Sequence, residues 1–114
     1  MTAYWTKCQG NVWCELNRVD LSAIGHIEGV YIIWHGGTPP VCVRVGQGVI
    51  KERLAEHRKD PAIQAYAPAV LYFTWAAVSR FDRDGVEAFL SAQYRPLVGE
   101  RFSNRKQISI DLPA

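Results

Sequence analysis

The sequence predicts a single α+β domain that combines three main strands with two helices. The chain has 114 residues, of which 48% are hydrophobic, so it can form one sizeable core but not two. Charged residues make up 21% of the chain and aromatic residues are spread along it, a composition typical of globular domains. The hydrophobic residues recur at strand spacing in some segments and at helical spacing in others, which indicates the mixed class.

The first two strands are predicted to form a hairpin. Val30–Trp34 is a run of β-branched and aromatic residues, and Val41–Val45 follows after a stretch of turn-forming residues. A symmetric hairpin about the Gly37–Thr38 turn would place Tyr31 beside Arg44 on the neighbouring strand. We therefore expect these two side chains to be in contact.

The first helix is predicted at residues 49–58, after Gly46–Gly48 end the second strand and before Pro61 prevents its continuation. Arg53 and His57 fall on the side defined by the apolar residues of this helix, and they are four positions apart. They could therefore reach the same bound group. Each residue also has a structural explanation, as an arginine whose stem covers apolar surface or a hydrogen-bonded core histidine.

The rest of the chain supplies a third strand and a second helix. Val70–Trp75 is apolar on both faces, which predicts a central strand, and residues 84–94 carry an apolar stripe at helical spacing. A short last strand is expected within 106–113. Residues 1–28 form an N-terminal extension with one possible strand at 11–16.

Glu87 lies at the side of the apolar stripe of the second helix, where a carboxylate could face a cleft. Asp84 stands three residues earlier and completes an Asp-x-x-Glu capping box, in which the Glu87 side chain would close the helix N-terminus. The spacing fits both interpretations.

The net charge of +2 does not by itself indicate a nucleic-acid partner. Basic residues cluster around the first helix, at 51–59, and near the C-terminus, at 95–106. Each cluster fits a phosphate-binding face and also an ordinary solvated surface.

The cysteines and the hydropathy indicate a cytoplasmic protein with no membrane partner. Cys8, Cys14 and Cys42 are odd in number and have no CxxC spacing, so the sequence indicates neither a disulfide framework nor a zinc site. No secretory signal pattern and no apolar run of membrane-spanning length is visible.

The order of motifs resembles the GIY-YIG nuclease family over about residues 29–96. The matching parts, in chain order, are Gly29-Val30-Tyr31, a hairpin loop, Val45-Gly46-Gln47-Gly48, Arg53-x-x-x-His57 and Glu87. The resemblance implies a central three-stranded antiparallel sheet flanked by helices. It also implies hydrolysis of DNA phosphodiester bonds with one divalent ion, Mg²⁺ or Mn²⁺.

The resemblance implies a role for each matched residue. Glu87 would hold the metal, and Arg53 would stabilise charge on the transferring phosphate. Tyr31 would orient or activate the attacking water, while His57 would hold a phosphate oxygen or relay a proton. Substrate contacts are expected from a further set: Arg44, Gln47, Lys51 and Asn104.

The sequence departs from the family pattern at Arg44, where the family has its second tyrosine. A guanidinium group cannot act as a base near neutral pH, so Arg44 can only bind or polarise. The family asparagine has no direct match, because its place is taken by Gly99, and Asn104 or Asp111 could serve instead. The alternative to a nuclease is therefore a degenerate domain that binds nucleic acid or a protein partner. The expected DNA would be branched or single-stranded, and a protein partner would supply the targeting.

Overall fold

One antiparallel sheet organises the chain, and the computed structural model describes residues 1–99 and 105–113. Its strands are β1 (Cys14–Glu15), β2 (Glu28–His35), β3 (Val41–Val49) and β4 (Leu71–Ala77), in the spatial order β1-β4-β2-β3. The helices are α1 (Ile50–His57), α2 (Pro61–Gln64) and α3 (Arg83–Tyr94), and 3₁₀ turns cover Leu21–Ala23 and Ala67–Ala69. No helix in this part of the chain is long and apolar enough to cross a membrane.

The predicted α+β class is confirmed, whereas the predicted number of strands is wrong. The sequence predicts three strands, and β1 is a fourth, in which Cys14 pairs with Phe73 and Glu15 with Tyr72 of β4. It lies within residues 11–16, where the sequence suggests a possible strand, but its two residues are too few to show the alternation by which strands are recognised. The region before β2 also contributes the fully buried Leu16 to the core.

Helices α1 and α3 pack on opposite faces of the sheet. On one face Tyr31 and Ile33 of β2 pack with Leu54 of α1. On the other face Ile32 of β2 packs with Leu90 of α3. This division follows from the alternation of side chains along a strand. Because β3 is the outermost strand on its side, residues of both helices can meet beyond its edge.

The register of the β2–β3 hairpin differs from the predicted one. Tyr31 pairs with Gly46, whereas Arg44 lies opposite Ile33. The ladder shifts between Ile33 and Trp34, and the connection spans residues 36–40 instead of a symmetric tight turn. A bulge of this kind inserts a residue into one strand only, so a symmetric alignment of the sequence does not anticipate it.

Strand β3 continues through the glycines that the sequence suggests as its end. Gly46 pairs with Tyr31 and Gly48 with Gly29, and the strand ends at Val49, directly before α1. Glycine weakens a strand but keeps the backbone donor and acceptor of the ladder. Gly48 has a φ of +129°, which favours glycine at this position.

The predicted strand at 106–113 is absent from the described residues that follow position 104. The backbone N–H of Ile108 donates to the carbonyl of Gly85 in α3, and that of Asp111 donates to the carbonyl of Met1. The hydrogen bonds of this segment therefore go to a helix and to the N-terminal segment rather than to a strand. The apolar alternation of the segment reflects packing, since Ile110 is buried against the core on the α3 face.

Cys8 and Cys14 form a disulfide, which corrects the expectation from the sequence. The N–H of Cys8 donates to the carbonyl of Val12 at 2.8 Å, and this short turn brings the two sulfurs together. Cysteine spacing alone cannot show such a turn. Cys42 of β3 is a buried free thiol. The cytoplasmic location stays a prediction.

Candidate functional site

A polar cleft of about 300 Å³ opens beside the edge strand β3, between α1 and α3. All four predicted catalytic residues are among those that line it. The lining consists of Tyr31, Arg44, Gly46, Gln47, Arg53, Glu56, His57, Asp84, Glu87 and Arg105. Strands β2 and β3, helices α1 and α3 and the C-terminal segment all contribute to it. The fold thus brings together residues that are far apart in the sequence.

Tyr31 and His57 form a buried pair at one side of the cleft. The Tyr31 hydroxyl lies 2.5 Å from Nε2 of His57. Tyr31 is 1% exposed and His57 6% exposed. Gly46 leaves the space that the phenol occupies, because a Cβ there would lie 2.2 Å from the Tyr31 oxygen. The geometry of the pair therefore depends on a glycine in β3.

The protonation of this pair follows from its burial. Burial raises the pKa of Tyr31 to about 12, although the positive charges of Arg44 and Arg53 act in the opposite direction. Burial, together with the charge of Arg44, lowers the pKa of His57 to about 4. Near neutral pH the phenol is protonated and the imidazole is neutral, so Tyr31 donates its hydrogen bond and Nε2 of His57 accepts it.

Two carboxylates of α3 form the opposite side of the cleft. Nε2 of Gln47 donates to Oδ1 of Asp84 at 2.7 Å and to Oε1 of Glu87 at 3.0 Å. Nη1 of Arg105 lies 3.4 Å and 3.5 Å from the same two oxygens. Burial raises the pKa of Glu87, opposed by the hydrogen bond from Gln47 and by the charge of Arg105.

The side chain of Glu87 does not form the capping box that its spacing to Asp84 allows. Helix α3 begins at Arg83, its N-cap is Asp82, and no side chain caps it. The side chain of Glu87 instead accepts from Gln47 across the cleft. Asp84 lies one helical turn before Glu87 on the same face, so both carboxylates reach the same donors.

The oxygen atoms around Glu87 fit a hard divalent cation. Mg²⁺ is usually held by one or two carboxylates, with waters and substrate phosphate completing its shell. Glu87 and Asp84 supply two carboxylates. Because Gln47 donates to both and the guanidinium of Arg105 lies beside Glu87, positive charge is favoured at this position. The described residues hold no group of three or more His, Cys, Asp or Glu side chains that could hold a metal ion.

The two arginines of the cleft differ in their environment. The side chain of Arg53 is 49% exposed at the rim and lies 3.4 Å from Glu56, so the helix places His57 inward but not Arg53. Arg44 is partly buried, and its Nε has no hydrogen-bond partner among the described residues. A guanidinium held in this way can bind an anion that enters the cleft by donating hydrogen bonds to it.

Two further predicted residues do not line the cleft, and a third is not described by the structure. Lys51 of α1 is not among the residues that line the cleft, Asn104 lies outside the described residues, and Asp111 is exposed beside the N-terminal segment. Asp84 is a cleft residue that is not predicted from the sequence, because its spacing to Glu87 also fits a cap. The i, i+3 spacing of the two acids is the signal that could have identified it.

Comparisons with known proteins found no matching family model, no matching curated protein and no matching solved structure.

Proposed function

We propose that the protein is a metal-dependent nuclease that hydrolyses phosphodiester bonds of DNA in the cleft beside β3. The observation that carries the proposal is the convergence of Tyr31, Arg53, His57 and Glu87 on one polar cleft. Convergence is what distinguishes an active site from scattered motif matches, because catalysis requires the groups to reach one reacting bond.

In this proposal Tyr31 and His57 accept the proton of the attacking water. The water proton moves to the Tyr31 oxygen while the phenol proton moves to Nε2 of His57, which is neutral and within hydrogen-bond distance. Tyr31 remains uncharged throughout, in keeping with a pKa of about 12. As the phenol is almost fully buried, it serves as a proton relay and not as a nucleophile.

The arginines and the carboxylates handle the charge of the phosphate. Arg53 at the rim and Arg44 deeper in the cleft would hold the non-bridging oxygens. Glu87, with Asp84 beside it, would hold the divalent ion, which supplies Lewis-acid stabilisation when bound. Loss of one such charge-stabilising donor typically lowers the rate by about 10²–10³-fold.

A second candidate is a domain that binds nucleic acid without cutting it. The favouring observation is that Gln47 and Arg105 already contact Oδ1 of Asp84 and Oε1 of Glu87, so a metal bound to these two oxygens would have to displace them. Arg44 in place of the second family tyrosine also suits binding better than catalysis.

Cleavage of supercoiled plasmid and of branched DNA, with Mg²⁺, Mn²⁺ or EDTA, tests the proposal. We expect metal-dependent cleavage that falls about 10²–10³-fold in Arg53→Ala and in Glu87→Gln. Lys59→Ala is the matched control, because Lys59 is an exposed basic residue just beyond α1 and outside the cleft lining. It removes the same charge and should keep full activity.

Melting curves of all variants show whether a loss of activity reflects a loss of fold. Cleavage that survives unchanged in a folded Arg53→Ala variant would contradict the site assignment. Binding without cleavage in every metal would favour the second candidate.

A further inference from the structure

A second pocket lies on the α3 face of the sheet, away from the polar cleft. It measures about 250 Å³, and its walls are mainly the rings of Trp13, Trp34 and Tyr94, with Cys42 of β3 beside them. Trp34 contacts Trp13 edge to face at 5.4 Å and stacks on Tyr72 at 6.0 Å. Each of these rings remains partly exposed, so the pocket presents aromatic surface to solvent.

The lining of this pocket selects for a neutral, planar ligand. None of the side chains that line it is charged, which disfavours an ionic ligand inside. Its volume is below the roughly 300–1,000 Å³ typical of sites for drug-sized ligands, so it suits a single ring system. Lys7 does not line the pocket, but its ammonium lies 4.5 Å from the centre of the ring of Trp13, which does. A ring with an attached anionic group fits this combination of apolar walls and one cation.

The pocket and the polar cleft share the same strand and the same helix. Along β3, Cys42 of the pocket precedes Gly46 of the cleft by four residues, about 13 Å at strand rise. Along α3, Tyr94 follows Glu87 by seven residues, about 10 Å at helical rise. These separations correspond to about three to four nucleotides of a stacked strand.

We infer that this pocket binds an unpaired nucleobase of the strand whose backbone enters the polar cleft. The choice of nucleic acid as ligand rests on the proposed function. The base would stack against the exposed aromatic rings, and Lys7 would contact a neighbouring phosphate. Paired bases of an intact duplex cannot enter, so the favoured substrates are single-stranded or branched.

The decisive measurement compares two single-stranded DNAs of equal length and charge, one with thymine bases and one fully abasic. Binding is followed by fluorescence anisotropy in EDTA, so that cleavage plays no part. We expect the abasic strand to bind about 5- to 150-fold more weakly, which is the loss of one stacked base. Tryptophan fluorescence should change with the base-bearing strand only.

Variants of Trp13 locate the effect. Trp13 lies in a loop segment outside the strands and is partly exposed, so its replacement disturbs the fold least among the pocket rings. Trp13→Leu should weaken binding of the base-bearing strand and leave the abasic strand unchanged, whereas Trp13→Phe should retain most of the difference. If Trp13→Leu does not fold, the comparison of the thymine and abasic strands with the wild-type protein alone tests the inference.

Equal affinity for the two strands, or no binding of either, overturns the inference. Cleavage together with equal affinities for the two strands would support the proposed nuclease and contradict only the binding of a base in the pocket. A preference for bases without any cleavage supports the pocket and contradicts the nuclease.

Discussion

At the scale of single residues, the missing side chain of Gly46 determines where the Tyr31 phenol can lie. A Cβ at position 46 would come within 2.2 Å of the phenol oxygen and 2.4 Å of Cζ. Because Tyr31 is 1% exposed, its ring has little room to move away. A methyl group at Gly46 therefore acts directly on the pair of Tyr31 and His57.

We expect Gly46→Ala to lower the free energy of unfolding by about 1–3 kcal/mol through overpacking, and to abolish cleavage. The matched control is Gly25→Ala, since a Cβ there meets nothing within 4 Å and the φ of Gly25 is not positive. Urea unfolding and the plasmid assay, run on both variants, provide the comparison. Equal stability of the two variants would mean that the phenol is not confined as described.

The burial of His57 predicts a loss of stability in acid. Its pKa is about 4 in the fold, against an ordinary value of 6.5. As the pH falls through this interval the unfolded chain takes up the proton first, so stability present above about pH 6.5 is lost towards pH 4. At about 1.4 kcal/mol per pKa unit, the loss amounts to about 3 kcal/mol.

Urea unfolding of wild type and His57→Gln at a series of pH values isolates this contribution. We expect the difference in unfolding free energy between the two proteins to shrink by about 3 kcal/mol from pH 7 to pH 4. Glu87, whose raised pKa acts with the opposite sign, is present in both proteins and cancels. Parallel pH curves would show that the imidazole titrates normally.

The helical wheel predicts the inward position of the His57 side chain correctly, but not that of the Arg53 side chain. The reason is physical. Both residues fall on the apolar side of the helical wheel, yet His57 is 6% exposed and the Arg53 side chain 49% exposed. A short imidazole stays where its Cβ points, whereas the long arginine stem carries its charge to the rim of the cleft. A wheel specifies the direction of Cβ and not the position of a distant guanidinium.

At the scale of elements, the disulfide fixes the segment that carries Trp13. It joins Cys8 to Cys14, which begins β1, so Trp13 lies within the closed loop. A loop of this length should contribute about 2 kcal/mol to stability by restricting the unfolded chain. The same loop positions one wall of the aromatic pocket.

We therefore expect reducing agent to lower the unfolding free energy of the wild type by about 2 kcal/mol and to have no effect on a Cys8→Ser, Cys14→Ser double variant. Cys42 is already a free thiol, so it does not respond to reduction. Mass spectrometry after alkylation without reductant should find one reactive thiol in the denatured protein. Three reactive thiols would contradict the disulfide.

The long elements could be predicted from the sequence, whereas the bounds of the short elements and the irregular strand pairing could not. The main strands and helices α1 and α3 carry enough periodic apolar residues for their positions to be recognised. The two residues of β1 lie in the segment 11–16 where the sequence suggests only a possible strand, and the ladder shift after Ile33 leaves no periodic signal. That shift separates Tyr31 from Arg44 in the ladder, but both still line the cleft, since it spans several positions of β3.

At the scale of the whole molecule, the positive and negative charges of the cleft balance. Salt concentration should therefore affect the affinity for DNA only moderately. Arg44, Arg53 and Arg105 face three carboxylates across the lining, and the net charge of the chain is +2. If these arginines contact three phosphates of a single strand, the slope of log K against log salt should be about −2.

Anisotropy titrations in EDTA over a range of salt concentrations measure this slope. The Arg53→Ala variant should show a slope shallower by about 0.7, which corresponds to one fewer phosphate contact. Lys59→Ala should leave the slope unchanged. A slope much steeper than −2 would mean that the basic clusters outside the cleft bind DNA as well.

The two ends of the described chain are neighbours. The amino group of Met1 donates to the carbonyl of Ser109, and the Met1 carbonyl accepts from the N–H of Asp111. A short linker could close the chain into a ring at little entropic cost, and new ends could be opened in the exposed hairpin loop. In such a circular permutant Tyr31 would follow Glu87 along the chain, and the cleft would form without the motif order that makes the sequence resemble a nuclease.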